Sequence, residues 1–191
     1  MLRVCVYCGS NPGRRPVYLE TARALGAALA ARGHSLVYGG AKVGCMGAVA
    51  DAALAAGARV HGVIPHGLVQ MEVAHDRLST LEVVDSLHER KARMDAASDA
   101  FVALPGGHGT LEELFEALTW LQLAIHTKPV VLLDVGGFYR DLLAHLDRCV
   151  DEGFLRPENR ALLMHTDSVD ACLDALETWR APLRPAWRTR T

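Results

Sequence analysis

Short apolar runs rich in β-forming residues alternate with longer stretches of helical periodicity from one end of this chain to the other. This alternation is typical of successive βαβ units around a parallel sheet. We therefore predict an α/β fold of three layers, with a mostly parallel central sheet of about seven strands flanked by helices. The predicted strands are 2–7, 35–38, 59–64, 81–84, 100–104, 130–134 and 162–165, and the predicted helices are 17–32, 47–56, 87–97, 111–125, 139–152 and 169–179.

The length of the chain, 191 residues, lies in the range of one domain. No linker, repeat or low-complexity segment interrupts the alternation before Pro182. We therefore predict a single domain over residues 1–181. The remaining residues, 182–191, mix arginines with prolines, which predicts a flexible C-terminal tail.

The composition argues against several classes of protein. Hydrophobic residues make up 50% and charged residues 22% of the chain, and no apolar run approaches the roughly 18 residues of a membrane span. No signal peptide is visible at the start, and five cysteines, an odd number, argue against a disulfide framework. The net charge is -2 and the sequence has no basic block, so it lacks the clustered positive charge with which proteins bind long nucleic acid. We expect a cytoplasmic protein that binds neither membranes nor long nucleic acid.

The loops that follow the strands are where a ligand is expected, because parallel sheets bind ligands beyond the carboxyl ends of their strands. Four of these loops are unusual: Gly9-Ser10, 39–47, 65–72 and 105–110. Glycine lets a backbone approach a ligand closely and lets N–H groups converge on a phosphate. None of the four is a Walker motif, because GK[ST] occurs nowhere in the chain.

The segment FVALPGGHGTLEELFEAL provides the strongest of these signals. It is predicted to run from a strand through a glycine-rich turn into a helix with Thr110 as the N-cap, which makes the turn an anion site. The alternative is that the glycines only form the turn. Glu113 also has two interpretations, because its spacing from Thr110 matches both a structural capping box and a catalytic carboxylate above the turn.

The segment LHERKARM provides a second signal. On a helix, Arg90 shares a stripe with Leu87 and Met94 and therefore faces inward. An inward guanidinium needs an acceptor, so Arg90 predicts a partner such as a phosphate or Glu113. The alternative is an arginine that lies along the surface with its stem packed.

Taken together, YGGAKVGCMG, HERK, LPGGHGTLEE and TWLQLAIHTKPV resemble the LOG family of cytokinin riboside 5′-monophosphate phosphoribohydrolases. The resemblance extends from Cys8 to Gly153. It implies a Rossmann-like nucleotide-binding domain that forms a homodimer. It also implies hydrolysis of the N-glycosidic bond of N6-modified adenosine 5′-monophosphates to a free base and ribose 5-phosphate, without a metal or redox cofactor.

The resemblance also assigns the site residues. Arg90 and Glu113 take the catalytic roles. Ligand contacts fall on Glu72, Lys91, Gly107, His108, Gly109, Thr110 and Thr119, to which the glycine loops add Gly9, Ser10 and Gly106. Two positions depart from the family pattern: Ala41 replaces a glycine, and His108 stands where tyrosine is frequent. Both bear on substrate preference more than on activity.

Two other functions are alternatives to this one. Family members have often carried the label lysine decarboxylase, a chemistry that needs a lysine in a Schiff base with pyridoxal phosphate, and the only lysines are Lys42, Lys91 and Lys128. The second is a non-catalytic carrier that uses the same loop for a nucleotide or the molybdenum cofactor. The joint presence of Arg90 and Glu113 separates the enzyme from such a carrier, because simple binding does not require that pair.

Overall fold

The computed structural model of the chain describes residues 1–70 and 73–181, with Gln70 described by its backbone alone. Over these residues the chain forms seven strands and eight helices. In chain order they are β1 (Arg3–Tyr7), α1 (Pro16–Ala31), β2 (Ser35–Tyr38), α2 (Gly44–Ala55), β3 (Val60–Pro65), α3 (His66–Gln70), β4 (Thr80–Val84), α4 (Leu87–Ala96), β5 (Ala100–Ala103), α5 (His108–Gln122), β6 (Val130–Leu133), α6 (Arg140–Asp151), α7 (Pro157–Arg160), β7 (Leu163–Thr166) and α8 (Val169–Thr178).

The strands form one sheet in the order β4-β3-β2-β1-β5-β6-β7, and each neighbouring pair is parallel. The chain builds the sheet outward from β1 in one direction and then outward from β5 in the other. The strand order therefore reverses between β1 and β5, where the register pairs Val6 with Val102. The carboxyl ends of these two strands form the crevice in which such sheets bind ligands.

Helices cover both faces of the sheet and give the fold three layers. One buried cluster includes Leu25 of α1, Val49 of α2 and Leu173 of α8. The other includes Leu114 of α5 and Leu146 of α6. The predicted α/β, Rossmann-like fold with a parallel sheet is confirmed. No helix in the described part of the chain combines the length and apolar character needed to cross a membrane.

Alternation along β1 sends successive side chains to opposite faces of the sheet. Cys5 therefore packs in the cluster with Leu114, whereas Cys8 packs in the cluster with Leu25. The two cysteines therefore face apart, although they are only three residues apart in the chain.

The predicted start of α5 was wrong. The helix begins at His108, and its N-cap is Gly107, whose backbone is extended with φ -100° and ψ -150°. Thr110 therefore lies inside the helix and does not cap it, which also removes the capping box with Glu113. The physical reason is tertiary packing: a Cβ on Gly106 would lie 2.0 Å from Thr110 Oγ1, so the threonine side chain fills the space beside that glycine.

Other boundaries differ in smaller ways. Helix α2 begins at Gly44, three residues before its predicted start, and the short helices α3 and α7 were not predicted. The tail predicted at 182–191 lies outside the described residues.

Candidate active site

A cavity of about 840 Å³ opens at the carboxyl edge of the sheet, above the point between β1 and β5 where the strand order reverses. The loops after β1, β2, β5 and β6 contribute to its wall, together with α3, α4 and α5. Nine of the residues predicted from sequence line it, namely Gly9, Ser10, Arg90, Gly106, Gly107, His108, Gly109, Thr110 and Glu113.

The glycine-rich turn before α5 is held from the β1 side. Gly9 N–H donates to the Pro105 carbonyl at 3.1 Å, and Leu104 N–H donates to the Tyr7 carbonyl at 2.9 Å. The helix then makes its first backbone hydrogen bond from Leu111 N–H to the Gly107 carbonyl at 3.1 Å. The preceding N–H groups at the start of α5 have no acceptor within the helix, so they and the helix dipole form an anion site at the cavity wall.

Arg90 and Glu113 meet at the wall of the same cavity. Arg90 Nη1 lies 3.7 Å from Glu113 Oε1, and the two side chains are only 13% and 12% exposed. Arg90 Nε donates to the Val63 carbonyl at 3.1 Å. Arg90 thus faces inward, as its helical stripe predicts, and Glu113 is the carboxylate partner that the sequence suggested.

Gly39 makes room for the guanidinium. A Cβ built on Gly39 would lie 1.7 Å from Arg90 Nη2 and 2.5 Å from Met46 Cε. Any larger residue at position 39 therefore has to displace one of these two side chains. Gly39 is one of two adjacent glycines after β2, and its packing against Arg90 explains why the first of them is a glycine.

Burial raises the pKa of Glu113 to about 7, because desolvation penalises the charged carboxylate; Arg90 opposes this rise. A carboxyl group with a pKa in this range exchanges protons readily near neutral pH, which is the property expected of a general acid or base. Strongly shifted groups concentrate at functional sites, so the pKa of Glu113 supports the interpretation as a catalytic residue.

Two predicted contacts, Lys91 and Thr119, lie elsewhere, and the position of a third, Glu72, is outside the described residues. Lys91 Nζ contacts Glu112 and lies 2.7 Å from Glu116 Oε2. Thr119 Oγ1 donates to the Phe115 carbonyl of its own helix at 2.7 Å. Neither Lys91 nor Thr119 lines the cavity formed by the described residues, and Glu72 lies outside them. Substrate contacts by these three residues stay predictions.

The cavity also has apolar walls that the sequence did not indicate. Met46, Leu68 and Val73 line it near the end of β2, and Tyr18 and Phe138 line it near β6. The rings of Tyr18 and Phe138 meet edge to face with centroids 5.7 Å apart. In a sequence, apolar residues of this kind are normally assigned to the hydrophobic core, so no sequence signal marks them as part of a site.

The two cysteines of the cavity are poorly suited to thiol chemistry. Cys8 and Cys45 line the cavity, but burial raises the pKa of each thiol, which disfavours the nucleophilic thiolate. Within 1–70 and 73–181, no three His, Cys, Asp or Glu side chains come together as a metal site.

Sequence comparison identifies a family model and individual proteins to which this chain is similar. The family model described as "possible lysine decarboxylase" matches residues 46–176. A probable cytokinin riboside 5′-monophosphate phosphoribohydrolase of Oryza sativa subsp. japonica is 48% identical over 180 residues, which cover 94% of this chain and 73% of that protein. A cytokinin riboside 5′-monophosphate phosphoribohydrolase of Arabidopsis thaliana is 46% identical over 177 residues, which cover 93% of this chain and 82% of that protein.

Solved structures share the fold at lower identity. The molybdenum cofactor binding protein of Rippkaea orientalis superposes with a TM-score of 0.71 at 22% identity, covering 93% of this chain and 97% of that one. The molybdenum cofactor carrier protein of Chlamydomonas reinhardtii gives a TM-score of 0.67 at 24% identity, covering 91% and 94%. At these identities the similarity establishes the architecture alone.

Proposed function

This chain belongs to the LOG family of cytokinin riboside 5′-monophosphate phosphoribohydrolases, and on that basis we propose that it hydrolyses the N-glycosidic bond of N6-modified adenosine 5′-monophosphates. The products are the free base and ribose 5-phosphate. The observation that carries the proposal is the buried Arg90–Glu113 pair, 3.7 Å apart, in the cavity that also contains the start of α5.

The 5′-phosphate would bind at the turn between β5 and α5. The unpaired N–H groups at the start of the helix donate to phosphate oxygens, and the helix dipole favours the negative charge. Each charge-assisted hydrogen bond is worth about 1.5–3 kcal/mol, so a nucleotide should bind much more tightly than its nucleoside.

Glu113 would act at the anomeric carbon. As the C–N bond breaks, its electron pair leaves with the base and positive charge develops on the sugar, which an ionised carboxylate stabilises. Water then forms the new C–O bond and loses a proton, which the same carboxylate can accept, and the departing base takes up one proton to become the neutral free base. With a pKa of about 7, Glu113 has both its ionised and its protonated form available near neutral pH.

Arg90 would supply positive charge beside Glu113. Its Nε donates to the Val63 carbonyl, and its Nη2 occupies the space beside Gly39. From this position the guanidinium could neutralise the phosphate, stabilise the sugar, or assist the departing base. All three roles need the guanidinium in its observed place.

The label lysine decarboxylase is not supported by the position of the lysines. Lys91 is engaged by Glu112 and Glu116, Lys128 Nζ lies 2.8 Å from Asp95 Oδ1, and Lys42 is exposed. Among the described residues, no lysine lines the cavity that contains Arg90 and Glu113. A Schiff-base enzyme needs its lysine at the site of the reaction.

We also propose that the protein works as a homodimer in the cytoplasm. The family resemblance and the preference of soluble oligomers for two-fold symmetry support a dimer. Exposed apolar side chains at Leu87 and Phe115, on α4 and α5, offer surface that a partner could cover. All five cysteines, which lie within the described residues, are free, as expected for a reducing compartment.

The direct test is incubation of the purified protein with AMP, with an N6-prenylated AMP and with adenosine, followed by chromatography of the bases. We expect free base from both nucleotides and far less from adenosine. A carrier would instead retain the nucleotide intact in proportion to the amount of protein. Equal turnover of adenosine and AMP would contradict the proposed phosphate site.

A further inference from the structure

The hydroxyl of Tyr139 anchors the backbone at the start of the glycine-rich turn. It donates to the Leu104 carbonyl, which immediately precedes Pro105, at 2.7 Å. Tyr139 is only 2% exposed, so water does not compete for this bond. One side chain from the loop after β6 thus holds the backbone where β5 passes into α5.

Tyr139 is itself held in place. Its backbone N–H donates to Asp134 Oδ1 at 2.8 Å, and its ring packs edge to face on Phe138 with centroids 4.8 Å apart. Asp134 is 8% exposed, and its Oδ2 lies 3.7 Å from His165 Nε2. The hydroxyl therefore has little freedom to leave the turn.

The turn is held from its other side by β1, because Gly9 N–H donates to the Pro105 carbonyl at 3.1 Å. The Tyr139 hydroxyl and Gly9 therefore fix two consecutive residues, Leu104 and Pro105, shortly before the N-cap Gly107. Any rotation of this short segment changes the direction of the N–H groups at the start of α5.

We propose that Tyr139 is a positioning residue of the phosphate site, whose hydroxyl holds the backbone of Leu104 at the start of the turn so that the N–H groups of α5 converge on the 5′-phosphate. Tyr139 does not line the cavity formed by the described residues, so it acts through the turn and not by contact with substrate. The inference rests on the proposed function, which places the phosphate at this turn.

The chain contains a matched control in Tyr38. Tyr38 is completely buried, and among the described residues its hydroxyl has no hydrogen-bond partner. The substitutions Tyr139→Phe and Tyr38→Phe each remove one buried hydroxyl and preserve the ring. Only Tyr139→Phe breaks a bond to the turn, the one to the Leu104 carbonyl.

The test compares wild type, Tyr139→Phe and Tyr38→Phe by steady-state kinetics with AMP and by titration with ribose 5-phosphate and with adenosine. In Tyr139→Phe, we expect KM for AMP and Kd for ribose 5-phosphate to rise about tenfold, with kcat and the affinity for adenosine nearly unchanged. Tyr38→Phe should match wild type in every measurement. Asp134→Ala, which frees the Tyr139 backbone, should change the same two constants in the same direction by a smaller factor.

The inference is wrong if folded Tyr139→Phe keeps the wild-type Kd for ribose 5-phosphate, or if it loses affinity equally for adenosine. If Tyr139→Phe does not fold, Asp134→Ala decides by the same two constants, and an unchanged Kd for ribose 5-phosphate then refutes the inference. Failure of the proposed function has a different signature: wild type would release no base from AMP, while the titrations with ribose 5-phosphate would still test Tyr139.

Discussion

Arg90 Nη1 lies 3.7 Å from Glu113 Oε1, although Arg90 belongs to α4, which precedes β5 in the chain, and Glu113 to α5, which follows it. Both side chains are nearly buried, so each charge depends on the other and on whatever enters the cavity. This pair connects the fold to the chemistry, because α4 and α5 have to pack correctly before the two groups can meet.

Gly39→Ala should impair catalysis by displacing Arg90. A Cβ at this position would lie 1.7 Å from Arg90 Nη2, so the guanidinium has to move, and a shift of about 1 Å in a catalytic group can lower the rate about 10²-fold. We expect kcat/KM for AMP to fall by about that factor. Gly67→Ala is the control, since a Cβ there meets no atom within 4 Å. Wild-type kcat/KM in Gly39→Ala would show that Arg90 tolerates the displacement.

The pH dependence of kcat should report Glu113. If the ionised carboxylate is the active form, kcat at saturating AMP rises as the pH passes the pKa of Glu113, which is about 7 in the free protein. An anionic ligand beside the carboxylate can only raise this pKa further. The residual activity of Glu113→Gln should lack this rise. A wild-type kcat that stays level from about pH 5 to about pH 9 would exclude Glu113 as the titrating group.

Stability should depend on pH in the direction set by the same group. The pKa of Glu113 rises from an ordinary value of 4.5 to about 7 on folding, so the folded state holds the proton more tightly. The stabilisation is complete below pH 4.5 and is lost as the pH rises through about 7. Relative to Glu113→Gln, the free energy of unfolding of wild type should fall by about 3 kcal/mol across this window. Denaturant titrations at several pH values measure it, and a constant difference between the two proteins would contradict the raised pKa.

The proposed homodimer should be visible in solution. We expect light scattering to give twice the chain mass of 20.7 kDa at micromolar concentration. Phe115 is 37% exposed on α5, and Phe115→Glu would place a charge on the apolar surface offered to a partner. That variant should shift the mass toward the monomer. A monomeric wild-type protein would refute the assembly.

The fold could be predicted from the sequence because it depends on a repeated local pattern. Seven apolar strand-like runs, with helical periodicity between them, are typical of a parallel sheet covered by helices. The start of α5 could not be predicted in this way. Thr110 has the side chain of a good N-cap, but its packing beside Gly106 and the extended backbone of Gly107 place the helix start three residues earlier than predicted.

The site likewise contains residues whose position follows from local sequence and residues whose position depends on tertiary contacts. The inward position of Arg90 follows from its own helix, and Glu113 was its suggested partner. The roles of Gly39 and Tyr139 depend on contacts between loops that are distant in the chain, so their local sequence carries no sign of them. Lys91 was assigned by resemblance alone, and its ammonium group lies between two glutamates of α5.

The most direct test of the account is kcat of Glu113→Gln with AMP, because the substitution preserves the shape of the side chain and removes its charge and its basicity. We expect kcat to fall by about 10²–10⁴, while Kd for ribose 5-phosphate changes by less than about threefold. Glu20→Gln, on the exposed side of α1, is the charge control and should behave as wild type. If Glu113→Gln hydrolyses AMP at the wild-type rate, Glu113 has a structural role only and the proposed mechanism is wrong.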